Sequence, residues 1–270
     1  MVNPNDIMSS LHKLCEKGDL KIIKEHMSNT NFNINELNKK DIMGHTPIFW
    51  ACWRGHLHII QFLISIPGFD IKSLNEKDDD GNTIFSICCE MGHIHILNFL
   101  LTIPNFDIKF LLNEKNIYGN TPFYWACDNG NVDVVKLLIE HPDFNMNNLH
   151  EKNAYGKTPF YCACRRGNVH MVNFLISSPD FNSKSKTSFS FMNEKTDDGS
   201  TPLFSACYKG HVDVVKELLK YDDVIILCKL EFSDFVDNKV QNEITRLFDS
   251  YKQAQYNYYE SMNVIVNDYY

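Results

Sequence analysis

A threonine flanked by two glycines recurs through most of the chain and sets its organisation. One glycine lies two residues before each threonine and another lies nine residues after it. The successive spacings are 37, 38, 37 and 43 residues, and the threonines are Thr46, Thr83, Thr121, Thr158 and Thr201. A period of this length predicts a repeat protein, in which each unit packs mainly against its neighbours. We therefore expect one elongated solenoid rather than one or two compact domains in the 270 residues.

Each repeat predicts two short helices followed by an extended finger. In the unit that starts at Thr121, the threonine is a favourable N-cap, and Pro122 loses no hydrogen bond at the first helical position. Gly130 can take the left-handed conformation that ends the helix. The next residues, NVDVVKLLIE, carry an apolar stripe at helical period, and Pro142 ends the helix. The stretch 144–156 is polar and predicts an extended finger, with Gly156 suited to a tight turn.

The segment TPFYWACDNGNVDVVKLLIEHP resembles the ankyrin repeat, in which Thr-Pro opens the first helix and Gly-Asn or Gly-His opens the second. The resemblance implies an all-α fold, an ankyrin-repeat solenoid of stacked helix–turn–helix units with extended β-hairpin fingers. The units exceed the usual period of about 33 residues, and the extra residues fall in the fingers. The histidine that the family has after Thr-Pro is absent, so we expect aromatic packing there instead. The residues at that position are Phe49, Ser86, Tyr124, Tyr161 and Phe204.

These patterns divide the chain into a repeat array, 1–221, and a C-terminal segment, 222–270. We predict a capping repeat at 8–37 and five further repeats at 38–74, 75–112, 113–149, 150–192 and 193–221. The C-terminal segment predicts a capping helix and an acidic, tyrosine-rich tail, with 9 Asp and Glu against 4 Lys and Arg in the last 50 residues. The insertion at 183–191 is either a functional surface loop or a neutral one.

Six of the nine cysteines fall in one column of the aligned repeats, three residues before the glycine that ends the first helix. They are Cys15, Cys52, Cys89, Cys127, Cys164 and Cys207. The column predicts small buried packing residues, because free cysteine behaves as a small hydrophobe. Neighbouring repeats stack roughly 10 Å apart, beyond the roughly 7 Å between Cα atoms that a disulfide spans. The thiols therefore indicate a reducing compartment.

Two histidine pairs, His56 with His58 and His93 with His95, lie 37 residues apart and suggest a metal site as one interpretation. The other interpretation, which we favour, is a structural or capping role, since the resemblance places histidine at the start of the second helix. We expect no bound metal and no cofactor. Motifs for phosphate binding, zinc peptidases and serine hydrolases do not occur, so we predict that the chain is not an enzyme.

The charge of the chain limits its partners. A net charge of −8, from 26 Lys and Arg against 34 Asp and Glu, disfavours binding to nucleic acid or to an anionic membrane. The first residues do not resemble a signal peptide, and no run of about 18 apolar residues occurs. These observations predict a soluble, intracellular, cytoplasmic protein that is a monomer and has a protein partner of unknown identity.

The resemblance also predicts where that partner binds. Ankyrin proteins commonly meet partners at the finger tips and at the exposed ends of the first helices, on the concave face. Aromatic and arginine side chains dominate binding hot spots. The alternative is that the residue type at these positions varies freely, because the side chains only contact water. The predicted partner-binding residues are Trp53, Arg54, Met91, Tyr118, Tyr155, Arg165, Arg166 and Tyr208.

The function that follows is a non-catalytic protein–protein interaction scaffold. Its Asn-, Lys-, Ile- and Phe-rich units with long fingers are similar to arrays in large DNA viruses of amoebae and in protists. This similarity suggests a viral protein that acts on host proteins in the host cytoplasm or nucleus. One alternative is an adaptor that recruits targets to a ubiquitin ligase or another modifying enzyme through the C-terminal tail. A metal-dependent or thiol enzyme is the third hypothesis.

Overall fold

The computed structural model describes residues 10–29, 32–104, 106–179, 190–221 and 236–267, the last of these beyond 253 as backbone only. Most of the insertion at 183–191 therefore lies outside the described residues, as do Cys228 and the first part of the C-terminal segment. The chain separates into two compact units, 1–155 and 156–270.

The first unit consists of short helices in consecutive pairs. The pairs are α1 (Ser10–Lys17) with α2 (Leu20–Met27), α3 (Pro47–Arg54) with α4 (Leu57–Ile64), α5 (Ile84–Met91) with α6 (Ile94–Leu100), and α8 (Pro122–Asn129) with α9 (Val132–Glu140). A single short turn of helix, α7 (Ile108–Leu111), lies between the last two pairs. The first helices stack side by side, α1 on α3, α3 on α5 and α5 on α8.

The first helices α3, α5 and α8 begin and end as the sequence predicts. The Thr121 hydroxyl accepts a hydrogen bond from the backbone N–H of Tyr124 at 3.1 Å, and Thr83 forms a reciprocal capping box with Ser86. Gly130 ends α8 with a φ of 76°, a left-handed conformation that favours glycine. A side chain at Gly55, the equivalent position of α3, would also collide with the ring of His93, since a Cβ there would lie 2.8 Å from it.

The cysteine column lies in the core, as predicted for its described members. Cys15, Cys52, Cys89 and Cys127 are fully buried on the stacked faces of the first helices. Burial raises the pKa of Cys15 to about 12 and also raises the pKa of Cys89 well above its ordinary value. These thiols are therefore neutral, and they act as small packing groups rather than as nucleophiles.

The second helices are tied to the preceding repeat by the side chain at their first turn. His56 Nε2 donates to the carbonyl of Glu16 at 3.0 Å, and His93 Nε2 donates to the carbonyl of Trp53 at the same distance. Asn131 takes the equivalent position, and its amide donates to the carbonyl of Cys89 at 2.9 Å. These carbonyls lie at helix C-termini, which have no intrahelical donor. The structural role proposed for His56 and His93 is therefore confirmed.

The fingers differ from the predicted hairpins. None of the described finger residues is in a strand, so the β-hairpin prediction is not confirmed. Each finger contains instead a short helical turn, formed by Ile34–Asn38, Ile71–Asn75, α7 or Met146–Leu149 in the first unit. An Asn or Asp caps each turn, as where Asp70 accepts from the backbone N–H of Lys72 at 3.0 Å. The extra residues of these long repeats thus form a capped turn that buries a leucine such as Leu74.

The second unit repeats the same pattern and ends in a long helix. It contains α10 (Pro159–Arg166), α11 (Val169–Ser177), α12 (Pro202–Lys209), α13 (Val212–Leu218) and α14 (Asn238–Asn267), with a short helical turn at Ser190–Asn193. Helix α10 packs on α12, and α14 packs on α13. Ile244 and Phe248 of α14 are buried. No helix among the described residues has the length and apolar character needed to cross a membrane.

Candidate partner-binding surface

The finger tips of the first unit form a row that we call the tip strip. Its members are Ile42, Met43, Asp79, Asp80, Ile117, Tyr118, Ala154 and Tyr155, two from each finger. Backbone hydrogen bonds join each tip to the next. The N–H of Asp79 donates to the carbonyl of Met43 at 3.1 Å, that of Ile117 to Asp80 at 2.9 Å, and that of Ala154 to Tyr118 at 2.8 Å. The order of the tip side chains along the strip is therefore fixed by the main chain.

Each tip is a tight turn closed by an Asn or Asp side chain. Asp41 Oδ1 accepts from the backbone N–H groups of Met43 and His45, both at 2.9 Å. Asn116 Oδ1 does the same for Tyr118 at 3.0 Å and Asn120 at 2.9 Å. Because the turn satisfies its own backbone donors, the two tip side chains are left to project into solvent.

A second row of hydrogen bonds runs beneath the tips and joins side chains of successive fingers. The amide of Asn116 donates to Asn82 Oδ1 at 3.0 Å, and the amide of Asn153 donates to Asn120 Oδ1 at 2.9 Å. The Asn153 amide also lies 3.1 Å from the Tyr124 hydroxyl. A buried polar network in which the members satisfy one another rigidifies the elements that it joins. The tips are therefore held by main-chain and side-chain bonds together.

The same row continues with a buried histidine between two carboxylates. His45 Nδ1 lies 3.4 Å from Asp41 Oδ2, and His45 Nε2 lies 3.5 Å from Asp78 Oδ2. Burial raises the pKa of Asp78, but the hydrogen bonds from His45 and Asn82 together outweigh it and leave the pKa lowered. The Asp78 carboxylate is therefore ionised where it contacts His45.

An ion-pair ladder on the finger stems also joins neighbouring repeats. Lys40 Nζ lies 3.0 Å from Glu76, and two closer pairs follow it, Lys77 with Glu114 and Lys115 with Glu151. Sequence reasoning missed this ladder. Its signal was present as the tripeptide Asn-Glu-Lys, which recurs at 75–77, 113–115 and 193–195.

The predicted site residues of the first unit are all solvent-accessible, but to different degrees. Tyr155 is 53% exposed, Met91 42% and Tyr118 38%, and Arg54 is also exposed. Trp53 is less accessible than these residues, because its ring stacks on Trp50 with centroids 6.0 Å apart and is half-buried. Arg54 is paired with Glu16 at 2.5 Å. The tyrosines and Met91 are therefore the more accessible members.

Two large apolar side chains at the finger tips were not among the predicted binding residues. Ile42 is 66% exposed and Ile117 is 63% exposed, more than Tyr155, Met91, Tyr118 or Tyr208. Met43 is 52% exposed beside them. Contiguous exposed apolar side chains on a folded surface mark interaction sites more often than isolated ones do. The signal available in the sequence was an apolar residue one or two positions before the turn glycine.

The charge of the tip strip comes from its second finger. Asp79 and Asp80 are both exposed, and the Tyr118 hydroxyl donates to Asp80 Oδ1 at 3.3 Å. The negative charge of Asp80 is the main cause of the raised pKa of Tyr118. The tyrosine therefore stays protonated and neutral.

The site residues of the second unit present a different chemistry. Tyr208 is 38% exposed and stacks on Phe204, with centroids 6.1 Å apart, while Lys209 Nζ lies 5.5 Å from the Tyr208 ring centre. Arg165 is half-buried and Arg166 exposed, both in the last turn of α10, where positive charge complements the helix dipole. These side chains form a basic and aromatic surface.

An open depression of about 300 Å³ lies at the start of the second helices, and its lining residues are Gly92, Ile94, Gly130, Asn131, Val132, Asp133 and Val134. Within the described ranges, no group of three or more His, Cys, Asp or Glu side chains is placed to hold a metal ion. The exposed finger tips and helix ends are the candidate site for binding a partner.

Comparison with known families identifies the class of protein. The family model described as "Ankyrin repeats (3 copies)" matches residues 11–110 and 105–187, and the one described as "Ankyrin repeat" matches 198–229. These matches cover well over half of the chain, so the chain belongs to the ankyrin repeat family. The resemblance drawn from the Thr-Pro and Gly-His motifs is thus confirmed, and neither family description names an enzyme.

Solved structures show the same fold. One similar chain belongs to the structure of a complex between a predatory endopeptidase from Bdellovibrio bacteriovorus and an immunity protein, with a TM-score of 0.57 and 22% sequence identity. The similarity covers 80% of this chain and 99% of that chain. At this identity it supports the fold alone. The comparison with curated protein sequences gave no match.

Proposed function

We propose that this chain is a non-catalytic scaffold that binds a partner protein through its finger tips and the exposed, concave ends of its first helices. The observation that carries the proposal is the tip strip, where exposed Ile117, Tyr118 and Tyr155 are held in line by main-chain hydrogen bonds. The similar complex, of an endopeptidase with an immunity protein, is itself a protein–protein assembly.

Rigid placement of large side chains favours binding. Tyrosine offers a large contact area with few rotatable bonds, so ordering it on binding costs little entropy. Truncation of such a residue at the centre of an interface costs about 2 kcal/mol or more. The hydrogen bonds beneath the tips limit the further cost of ordering the backbone, because the turns are formed before the partner arrives.

Affinity capture from the cells that produce the protein tests this proposal. The intact chain is compared with Tyr118→Ala/Tyr155→Ala and with a matched control, Ile22→Ala/Ile34→Ala, whose two isoleucines are each 43% exposed and lie outside the strip. We expect the tyrosine variant to lose the proteins that the control still retains. Equal capture by all three forms would place the site elsewhere.

Several finer features of the proposal stay predictions. They are the viral or protist source, the intracellular compartment, the monomeric state, the repeat boundaries, and the adaptor role of the C-terminal tail. The structure changes how the adaptor role is tested, because Ile244 and Phe248 are buried and removal of 222–270 would expose the residues that they cover. Truncation after Gln253 keeps both residues. An adaptor cut there would still capture its target and would lose its modifying enzyme.

A further inference from the structure

We propose that the tip strip accepts a linear segment of a partner protein in which an arginine is flanked on both sides by apolar side chains. The inference rests on the proposed function and specifies the chemistry of the partner. It follows from the order of residues along the strip and from the charge of the second finger.

The strip alternates in polarity in a fixed order. Ile42 and Met43, 66% and 52% exposed, come first, and the exposed carboxylates of Asp79 and Asp80 come second. The third and fourth fingers add the apolar side chains Ile117, Tyr118 and Tyr155, which are 63%, 38% and 53% exposed. Because backbone hydrogen bonds link the successive tips, a segment lying along them meets an apolar, then an acidic, then an apolar surface.

The two carboxylates have no cation to balance them within the strip. Asp79 has no side-chain hydrogen bond or ion pair with any described residue, and Asp80 accepts from the neutral hydroxyl of Tyr118. Three lysines of the adjacent finger stems pair instead with glutamates of the following repeat. They are Lys40, Lys77 and Lys115. The strip therefore presents uncompensated negative charge between apolar contacts.

Charge complementarity decides among the possible occupants. A wholly apolar segment would desolvate two carboxylates without pairing them, which costs free energy, and an acidic segment would be repelled. A guanidinium can hydrogen-bond to a carboxylate through two N–H groups and can also stack on an aromatic ring. Tyr118 donates to Asp80 and so lies beside the charge, and it provides such a ring. Arginine therefore fits the strip better than lysine.

Selection from a display library of random linear twelve-residue peptides tests the proposal. The intact chain is the bait, and selected peptides are synthesised and their Kd values measured by fluorescence polarisation. Three variants are compared: Asp79→Asn/Asp80→Asn, Tyr118→Ala/Tyr155→Ala, and the control Asp133→Asn/Asp143→Asn. The control removes two exposed carboxylates on α9 and the turn after it, so it changes the net charge by the same amount.

We expect peptides enriched in arginine with apolar neighbours. Their affinity should fall about tenfold in Asp79→Asn/Asp80→Asn, fall as salt is raised from low to high concentration, and stay within about twofold in the control. Replacing the peptide arginine with glutamine should remove the difference between the wild-type chain and that variant. Replacing it with lysine should weaken binding less.

Other results would overturn the inference, and they separate it from the proposed function. The selected peptides could lack basic residues, bind the aspartate variant as well as the wild type, and fail to bind the tyrosine variant. That result would support binding at the tips and would contradict the arginine requirement. Peptides indifferent to both variants would count against the strip as a binding site at all. A selection that yields no binding peptide would also contradict a linear arginine segment as the occupant. Self-association of the chain that is abolished by Asp79→Asn/Asp80→Asn would contradict it as well.

Discussion

The two units share one framework but differ in the side chains at the exposed ends of their first helices. In both, a threonine caps the first helix, a left-handed glycine ends it, and a histidine at the start of a second helix donates to a carbonyl of the preceding repeat, as His93 does to Trp53 and His211 to Arg165. At those ends the first unit exposes Arg54, Met91 and Asn129, whereas the second unit presents half-buried Arg165 and exposed Arg166, Tyr208 and Lys209. An exposed aspartate pair lies at a finger tip in both units, Asp79 with Asp80 in the first and Asp197 with Asp198 in the second. The framework thus sets where side chains are displayed, and a few variable positions set what is displayed.

The strongest test of a shared framework is the core of the first helices. Phe123 and Phe160 occupy equivalent positions in α8 and α10, and each is fully buried. Replacement of either with alanine removes a large ring from a packed interior, so we expect each variant to lose about 3–5 kcal/mol in free energy of unfolding. Urea denaturation followed by circular dichroism measures this. A loss below about 1 kcal/mol in one variant only would show that the two cores are not equivalent.

A smaller effect is expected from the histidines that bridge repeats. His93→Ala and His211→Ala each leave a helix C-terminal carbonyl without its donor, so we expect a loss of about 1 kcal/mol in each unit. Asparagine serves at the same position in the first unit, where Asn131 makes the equivalent bond. His93→Asn and His211→Asn should therefore recover most of the loss. Asparagine variants as unstable as the alanine variants would contradict the capping role.

His211 makes the stability of the second unit depend on pH. Burial lowers the pKa of His211 from its ordinary 6.5, despite the bond to Arg165. A lowered pKa means that the unfolded chain binds the proton more readily, so this contribution to stability is present above pH 6.5 and is lost as pH falls through the folded pKa. His12 of the first unit, whose pKa burial also lowers, acts in the same direction.

Thermal unfolding at several pH values separates these contributions. We expect the wild-type chain to lose stability between pH 7.5 and 5, and we expect His211→Asn to lose less over that range. A variant with the same pH dependence as the wild type would show that His211 does not titrate differently on folding.

The smallest effect is expected from the ion-pair ladder of the finger stems. Lys40 and Lys115 pair with glutamates while both remain substantially exposed, so Lys40→Ala and Lys115→Ala should each cost less than about 1 kcal/mol. Screening by salt should reduce that cost. The Lys216 pair with Glu243 in the second unit should respond in the same direction. Melting temperatures at low and high salt check this, and a cost that does not change with salt would indicate packing rather than charge.

The sequence predicted the helices well because their signals are local. Thr121, Pro122 and Gly130 each act on the backbone within a few residues, and the apolar stripe of α9 needs only its own period. The cysteine column and the histidine caps were also predictable, because alignment of the repeats superimposed them.

The fingers and the site were harder to predict because they depend on contacts between repeats. The bonds from Asn116 to Asn82 and from Asn153 to Asn120 join residues that lie more than 30 positions apart, and no single repeat shows them. The family resemblance implied a hairpin, whereas burial of the leucine column favours a helical turn. The choice of aromatic and arginine side chains as binding residues named Trp53, which is half-buried, and left out Ile117, which is 63% exposed.

The central claim is that the tip strip of the first unit binds a partner protein, and one affinity measurement tests it most directly. A protein captured by the wild-type chain is purified, and its Kd is measured by surface plasmon resonance against the wild-type chain, Tyr118→Ala/Tyr155→Ala and Ile22→Ala/Ile34→Ala. We predict that the tyrosine variant binds at least about tenfold more weakly, while the isoleucine control stays within about twofold of the wild type. Equal Kd values for the tyrosine variant and the wild type, with both chains folded, would contradict the claim.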